Sequence, residues 1–255
     1  MRTIVIANQK GGVAKTTTCG ALASVLTRRG YRILSIDMDP QGSLTDNCGV
    51  EQSEHGVYNV LLRNESIRDC IRQTAVFDIL PASILMAALE QQLSGEVGRE
   101  CRLREAVRKG GLEPCYDFIL IDCPPALGTL TVNALVCGDY VVIPINSDVN
   151  ALTGVAKLHS TITSVQEYFN DKLQIAGILQ TRDNARYIIS KEIREIAGKT
   201  ARELNCKLME SRIRTCVSIP ESHYQNVDIY DYDPSSTVAQ DYEAFATELL
   251  SEVGA

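Results

Sequence analysis

The sequence has 255 residues, of which 45% are hydrophobic and 22% are charged, and its formal net charge is −7. A chain of this size can bury a large core, and we expect one α/β domain over residues 1–255 rather than two small ones. The negative charge disfavours a general affinity for nucleic acids or anionic lipids. No apolar run reaches the length of a membrane span and no signal-peptide pattern opens the sequence, so we expect a cytoplasmic protein.

The nine cysteines are spread along the sequence without any C-x-x-C pair. Most of them lie in apolar segments, where a free cysteine behaves as a small hydrophobic residue. This spacing predicts buried thiols in a reducing compartment, with neither disulfides nor a metal site.

Apolar, β-branched runs alternate with helical patterns along the whole chain. This alternation predicts an α/β fold, a mostly parallel sheet with helices on both faces. The predicted strands are 2–8, 32–38, 76–81, 116–122, 139–145, 173–180 and one within 206–219. The predicted helices are 15–29, 82–92, 98–110, 128–136, 151–169, 187–204 and 235–251. In such a sheet, ligands bind at the carboxyl ends of the strands.

The segment NQKGGVAKTTT, residues 8–18, lies between the first predicted strand and the first predicted helix. Gly11 and Gly12 permit a tight turn in which backbone N–H groups converge on an anion. The helix N-terminus adds a partial positive charge, and Lys15 can reach the β- and γ-phosphates of a nucleotide. This order of strand, glycine turn and helix predicts a phosphate-binding loop.

The rest of this loop predicts how ATP and Mg²⁺ are held. The Thr16 hydroxyl can ligate Mg²⁺, and Thr17 can bind the α-phosphate. Val13 and Ala14 complete the loop, and Ala14 stands where the usual pattern has glycine. We expect a negative φ at Ala14, because it lies at the start of a helix, where a methyl group costs little.

Two later strands end in carboxylates. In ILSIDMDPQGSLT the strand ends at Asp37, and Asp39 lies just beyond it, where it can orient a water for attack on the γ-phosphate. A simple Asp-Pro turn cap also explains Asp39. In YDFILIDCPPALGTLTVNAL the strand ends at Asp122, which can hold Mg²⁺ opposite Thr16.

Together these three motifs resemble those of the ParA/MinD family of P-loop NTPases, whose deviant Walker A loop reads K-G-G-x-G-K-[ST]. The resemblance implies that Lys10 is the signature lysine, which in that family reaches the nucleotide of a partner subunit. It implies that Asp39 is the hydrolysis residue of the D-x-D-P-Q-G segment and that Asp122 ends the Walker B strand. The candidate catalytic residues are Lys10, Lys15 and Asp39, and the candidate metal ligands are Thr16, Asp39 and Asp122.

The resemblance extends over nearly the whole chain, through PINSDVNALTGVAKL to YDPSSTVAQDYEAFATELL. By this likeness, the adenine should lie between two loops that follow neighbouring strands. One loop contains Thr181 and Arg182, and the other contains Arg214 and Thr215.

Two absences indicate the branch of the family: a basic C-terminal helix and a C-x-x-C pair, which iron-sulfur relatives often carry. The acidic C-terminal segment AFATELLSEVGA has no Lys or Arg and so does not resemble the membrane-binding helix of MinD-type proteins. The ParA/Soj branch then implies an ATP-dependent homodimer that coats nucleoid DNA and a ParB-type partner that triggers hydrolysis. Two alternatives remain: an ATP switch that positions another cargo or regulates conjugative transfer, and a P-loop metabolic enzyme of the amidoligase type.

One region has a net positive charge although the whole chain is negative. Residues 182–214 contain nine Lys or Arg and five Asp or Glu. Within the predicted helix 187–204, helical spacing predicts an apolar face and a basic face. The apolar face comprises Ile189, Ile193, Ile196, Ala197, Thr200 and Leu204. The predicted DNA-binding residues are Arg186, Lys191, Arg194, Lys199 and Arg202. An ordinary solvated helix face explains the same pattern, since Glu192 and Glu195 lie close to it.

Overall fold

An eight-stranded sheet organises the chain in the computed structural model, which describes residues 1–52, 55–148, 151–184 and 187–255. The strands are β1 (Arg2–Ile6), β2 (Ile33–Asp37), β3 (Arg72–Gln73), β4 (Asp78–Leu80), β5 (Phe118–Asp122), β6 (Tyr140–Asn146), β7 (Gln174–Asp183) and β8 (Leu208–Arg214). Their order across the sheet is β3-β4-β2-β5-β1-β6-β7-β8. All neighbours pair in parallel except β3 and β4, which are antiparallel.

The described helices cover both faces of this sheet. They are α1 (Lys15–Arg28), α2 (Ser43–Asn47), α3 (Ile67–Cys70), α4 (Leu89–Gln92), α5 (Arg102–Gly110), α6 (Thr129–Cys137), α7 (Ala151–Tyr168), α8 (Ile188–Glu203), α9 (Ser218–Tyr224), α10 (Ile229–Tyr232) and α11 (Thr237–Glu252). Short π-helical and 3₁₀ turns add Asn59–Arg63, Ile84–Ala88 and Arg99–Cys101. Among the described residues, no helix is long and apolar enough to span a membrane.

Alternation along the strands explains why the sheet has two cores. In β5, Ile119 and Ile121 pack into the core under α5, α6, α7 and α8, whereas Phe118 and Leu120 pack into the core under α1 and α11. Successive side chains of a strand point to opposite faces, so a strand that is apolar throughout must be covered on both. The predicted α/β architecture is therefore confirmed.

The structure differs from the prediction mainly in its short helices. The predicted helix 82–92 is wrong as a single helix, because a 3₁₀ turn at Ile84–Ala88 precedes α4. Met86 and Leu89 are both buried, and their three-residue spacing suits the 3.0-residue turn of a 3₁₀ helix. The sequence also does not predict α2, α3, α9 and α10, since four to seven residues are too few to show a helical period.

Sheet order brings the ends of β1, β2 and β5 together. β5 lies between β1 and β2, and its Asp122 pairs in register with Ile6 on one side and Asp37 on the other. Parallel strands end at the same edge, so the loops that follow these strands form one site.

Candidate functional site

The phosphate-binding loop of residues 8–18 connects β1 to α1 as predicted. Gly12 has φ 73°, and Ala14, at the N-cap of α1, has φ 61° and ψ 34°. The expected negative φ at Ala14 is therefore wrong, because the loop enters the helix through a left-handed residue. No side chain caps this helix and no acidic residue lies in its first turn, so its first N–H groups are suited to an anion.

Lys15 points into the edge where β1 and β5 end. Its Nζ donates to the carbonyl oxygen of Lys10 at 3.1 Å, and the residue is 7% exposed. Burial lowers the pKa of Lys15, and the nearby carboxylates of Asp122 and Asp39 act in the opposite direction. The fold thus brings together one predicted phosphate-binding lysine and two predicted carboxylates.

Asp122 is the most unusual group of this edge, because it is fully buried and neither carboxylate oxygen has a hydrogen-bond partner among the described residues. Burial raises the pKa of Asp122 well above its usual range, and the carboxylate of Asp37 raises it further. Thr16 and Lys15 act in the opposite direction, although the Thr16 hydroxyl does not reach hydrogen-bonding geometry. A buried, unpartnered carboxylate beside a threonine hydroxyl fits an Mg²⁺ ion, which would neutralise it.

Asp39 lies in the turn that follows β2 and is partly exposed. Its Oδ1 accepts the N–H of Gln41 at 3.0 Å, and its backbone oxygen accepts the N–H of Gly42 at 2.9 Å. The simple turn cap considered for Asp39 is therefore present. Oδ2 makes no hydrogen bond to any described residue, so one carboxylate oxygen is left for a water.

Lys10 is held within its own chain. Its Nζ lies 2.8 Å from Oδ2 of Asp148, in the loop after β6, with side-chain exposures of 22% and 48%. Its N–H donates to Oδ1 of Asn8 at 3.1 Å, and Nδ2 of Asn8 donates to the carbonyl oxygen of Pro144 at 2.8 Å. The main chain of Lys10 is thus oriented through Asn8 by β6, and its ammonium is paired with a carboxylate in the loop that follows β6.

The four predicted adenine residues lie at the adjoining ends of β7 and β8, where Asp183 pairs with Arg214. Thr181 is fully buried, and its hydroxyl lies 3.0 Å from the carbonyl oxygens of Val13 and Ile145. Its hydroxyl is therefore already used, and it supports the phosphate-binding loop.

The other three adenine residues face solvent. Arg182 is exposed with φ 50°, and Thr215 is exposed beside it along the strand edge. The guanidinium of Arg214 makes paired hydrogen bonds to Asp241, the shortest at 2.7 Å. The N–H groups of Arg214 and Thr215 are also used, since they donate to Asp241 and to the carbonyl oxygen of Asp183.

Only some of the predicted DNA-binding residues lie on an exposed basic face of α8. Lys191, Lys199 and Arg202 lie exposed on α8, and none forms an ion pair with a described residue. Arg186 lies outside the described residues.

Arg194 and Ile196 do not lie on the predicted faces of α8. The buried residues of this helix are Ser190, Ile193, Ala197 and Ala201. Their stripe turns Arg194 toward the sheet, where its guanidinium donates to the carbonyl oxygen of Met209 at 3.0 Å and lies 3.6 Å from the Glu210 carboxylate. Ile196 is 45% exposed. Both predictions were wrong because the buried stripe runs through Ser190 and Ala201 rather than Ile196, whereas Ile193 and Ala197 lie on the buried face as predicted.

A cavity of about 290 Å³ opens beside the start of α1. Thr16, Thr17 and Ser24 line it on one side, and Asn226 and Asp228 line it on the other. Neither Asp122 nor Asp39 lines it, although Thr16, which lies beside Asp122, does. This space is large enough for a small molecule.

Comparison with known proteins agrees with this geometry. A family model described as an AAA domain matches residues 1–175. The sporulation initiation inhibitor protein Soj of Bacillus subtilis is 38% identical over 252 residues, which cover 97% of this chain and 98% of that protein. The chromosome partitioning protein ParA of Myxococcus xanthus is 35% identical and covers 98% of this chain and 88% of its own length.

A solved structure links the same fold to a nucleotide. The cobyrinic acid a,c-diamide synthase of Mycobacterium smegmatis, crystallised with an ATP analogue and magnesium, is 32% identical with a TM-score of 0.86. The match covers 100% of this chain and 96% of that chain. The chain therefore belongs to the ParA/Soj family of P-loop ATPases.

Proposed function

We propose that the protein is a partition ATPase whose ATP-bound form is a homodimer that binds double-stranded DNA nonspecifically. In this proposal, hydrolysis is stimulated by a ParB-type partner and releases the DNA. The observation that carries it is the convergence of Lys15, Asp39 and the unpartnered Asp122 at neighbouring strand ends. The relatives named Soj and ParA support the cellular role.

ATP binds with its phosphates in the loop of residues 8–18. The backbone N–H groups of Gly11, Gly12, Val13 and Ala14 face the phosphates. Lys15 contacts the β- and γ-phosphates, and Thr17 contacts the α-phosphate. Thr16 and Asp122 would hold Mg²⁺, which would neutralise charge on the phosphates, and Asp39 orients the attacking water. The uncapped start of α1 and the buried Asp122 support this arrangement.

Dimerisation places Lys10 on the nucleotide of the partner subunit. Lys10 must first leave Asp148, to which it is paired at 2.8 Å in the monomer. The Asp148 carboxylate is 48% exposed, so water weakens this pair, and a charge-assisted contact with a phosphate can outweigh it. Lys10 thus couples nucleotide binding to assembly.

DNA binding uses the exposed cations of α8, Lys191, Lys199 and Arg202, without Arg194. One protomer presents few charges, and dimerisation doubles them on one particle. A dimer can contact twice as many DNA phosphates at once, so its affinity for DNA rises more than twofold over that of a monomer. Its binding also depends more steeply on salt concentration. This makes DNA binding depend on ATP and would localise the protein to the nucleoid.

A small-molecule ligase is the second candidate. The cavity beside Thr16 and Thr17 and the similarity to the diamide synthase of Mycobacterium smegmatis favour it. Such an enzyme needs a cosubstrate for turnover. A partition ATPase hydrolyses ATP without one, so turnover of purified protein with ATP and Mg²⁺ alone separates the two.

The direct test is the mass of the protein in solution without nucleotide, with ADP and with ATP·Mg²⁺. We expect a monomer in the first two states and a dimer with ATP. Lys10→Ala should bind ATP yet stay monomeric, and Asp39→Ala should dimerise and hydrolyse slowly. A wild-type protein that stays monomeric with saturating ATP, or a Lys10→Ala variant that dimerises like wild type, contradicts the proposal.

A further inference from the structure

One buried carboxylate closes the loop that carries Asp39. Asp37, fully buried at the end of β2, accepts the N–H of Asp39 on Oδ1 at 3.1 Å. Its Oδ2 accepts the N–H of Thr45 at 2.9 Å and the Thr45 hydroxyl at 2.8 Å. Both ends of the segment 39–45 are therefore fixed to one side chain.

Thr45 connects this loop to the sheet. It is fully buried, and its hydroxyl oxygen accepts the N–H of Ala82, just after β4, at 3.0 Å. The hydroxyl therefore donates to Asp37 and accepts from Ala82 at once. A chain of hydrogen bonds runs from the end of β4 through Thr45 and Asp37 to the backbone of Asp39.

Asp37 and Asp122 are neighbours in register yet differ in how their oxygens are used. Asp122 has no partner on either oxygen among the described residues, as an ion-binding group requires. Asp37 accepts three hydrogen bonds, which leaves it little capacity for a cation. The first carboxylate of the D-x-D segment is thus suited to holding protein rather than a ligand.

We infer that Asp37 and Thr45 are positioning residues for ATP hydrolysis, which set the place of Asp39 relative to the γ-phosphate. This inference rests on the proposed role of Asp39 in orienting water. The Oδ1 atom of Asp39 is bound to its own turn, so Oδ2 can be aimed only by moving that turn. The turn moves little while Asp37 holds both of its ends.

Thr45→Val tests this, with Thr45→Ser as the matched control. Valine keeps the shape of threonine and removes the hydroxyl, whereas serine keeps the hydroxyl. We expect Thr45→Val to lower kcat about tenfold or more, because small misplacement of a reacting group has effects of this size. KM for ATP should change less than about twofold, and Thr45→Ser should stay near wild type.

The same substitution in an Asp39→Ala background separates positioning from general damage. If Thr45 acts through Asp39, Thr45→Val causes no further loss of kcat there. A parental kcat in Thr45→Val, or an equal loss in both backgrounds, overturns the inference while leaving the proposed function intact. An Asp39→Ala protein that hydrolyses ATP at the parental rate overturns both.

Amide hydrogen exchange in the nucleotide-free protein gives a readout independent of turnover. The N–H groups of Asp39 and Thr45 should be protected in wild type and exchange at least tenfold faster in Thr45→Ala, with β5 unchanged. Unchanged protection of both amides in Thr45→Ala would overturn the inference.

Discussion

Ala14→Gly should stabilise the protein, because Ala14 occupies the left-handed region at φ 61° and ψ 34°. That conformation costs a non-glycine residue about 1–2 kcal/mol. Glycine also makes the unfolded chain more flexible, which lowers the free energy of unfolding by about 0.4–1 kcal/mol. The net increase in the free energy of unfolding is therefore about 0.5–1 kcal/mol. For a chain of 255 residues this corresponds to a rise in Tm of about 1–2 °C.

The assay is calorimetry of the nucleotide-free protein, with Gly12→Ala as the matched control in the same loop. Gly12 has φ 73°, and no atom lies within 4 Å of the position that a Cβ would take. Its substitution therefore adds the same strain without a clash and should lower Tm by about 1–2 °C. A fall in Tm for Ala14→Gly, or a rise for Gly12→Ala, would refute the strain argument.

Three further predictions follow from the site. Lys15→Ala should lower ATP affinity by at least tenfold in calorimetric titration, since it removes a charge-assisted phosphate contact worth about 1.5–3 kcal/mol, and unchanged affinity would contradict the loop assignment. Asp148→Asn should lower the ATP concentration for half-maximal dimerisation about two- to fivefold, because it frees Lys10, and a weaker dimer would show that Asp148 serves the dimer instead. The triple variant Lys191→Ala, Lys199→Ala and Arg202→Ala should weaken DNA binding and flatten its salt slope, whereas an equal charge change at Lys109, Lys157 and Lys172 should do neither. Equal effects of the two triple variants would move the DNA surface away from α8.

Local sequence was enough for the elements that build the site. Strands β1, β2 and β5 are mostly apolar, and each is followed by a segment with distinctive residues, so their ends were predicted within two residues. Parallel pairing then places Lys15, Asp39 and Asp122 at the same edge, and the strand order, with β5 between β1 and β2, makes them neighbours. The shared edge followed from local sequence, whereas the strand order did not.

Contacts between distant segments were not predictable in this way. The bond between Thr45 and Ala82 joins residues 37 positions apart, and no local pattern marks it. The first carboxylate of D-x-D, Asp37, was visible in the sequence, but its partners were not. Lys10 and Asp148 are likewise joined only by the fold.

Helix α8 shows where periodicity misleads. The predicted apolar face placed Ile196 inside and Arg194 outside, whereas the buried face runs through Ser190, Ile193, Ala197 and Ala201. Close packing against β7 and β8 favours small side chains there and leaves room for the arginine stem. A hydrophobic pattern alone does not reveal this.

The central claim is that ATP turns DNA binding on by forming a dimer. The most direct measurement is the affinity for a nonspecific DNA duplex of Asp39→Ala, which should trap the ATP state, with mass recorded in the same samples without nucleotide, with ADP and with ATP·Mg²⁺. The account predicts weak binding by the monomer in the first two states and at least tenfold tighter, strongly salt-dependent binding by the ATP dimer. An ATP dimer that binds DNA no better than the monomer would contradict it and favour a switch that positions another cargo.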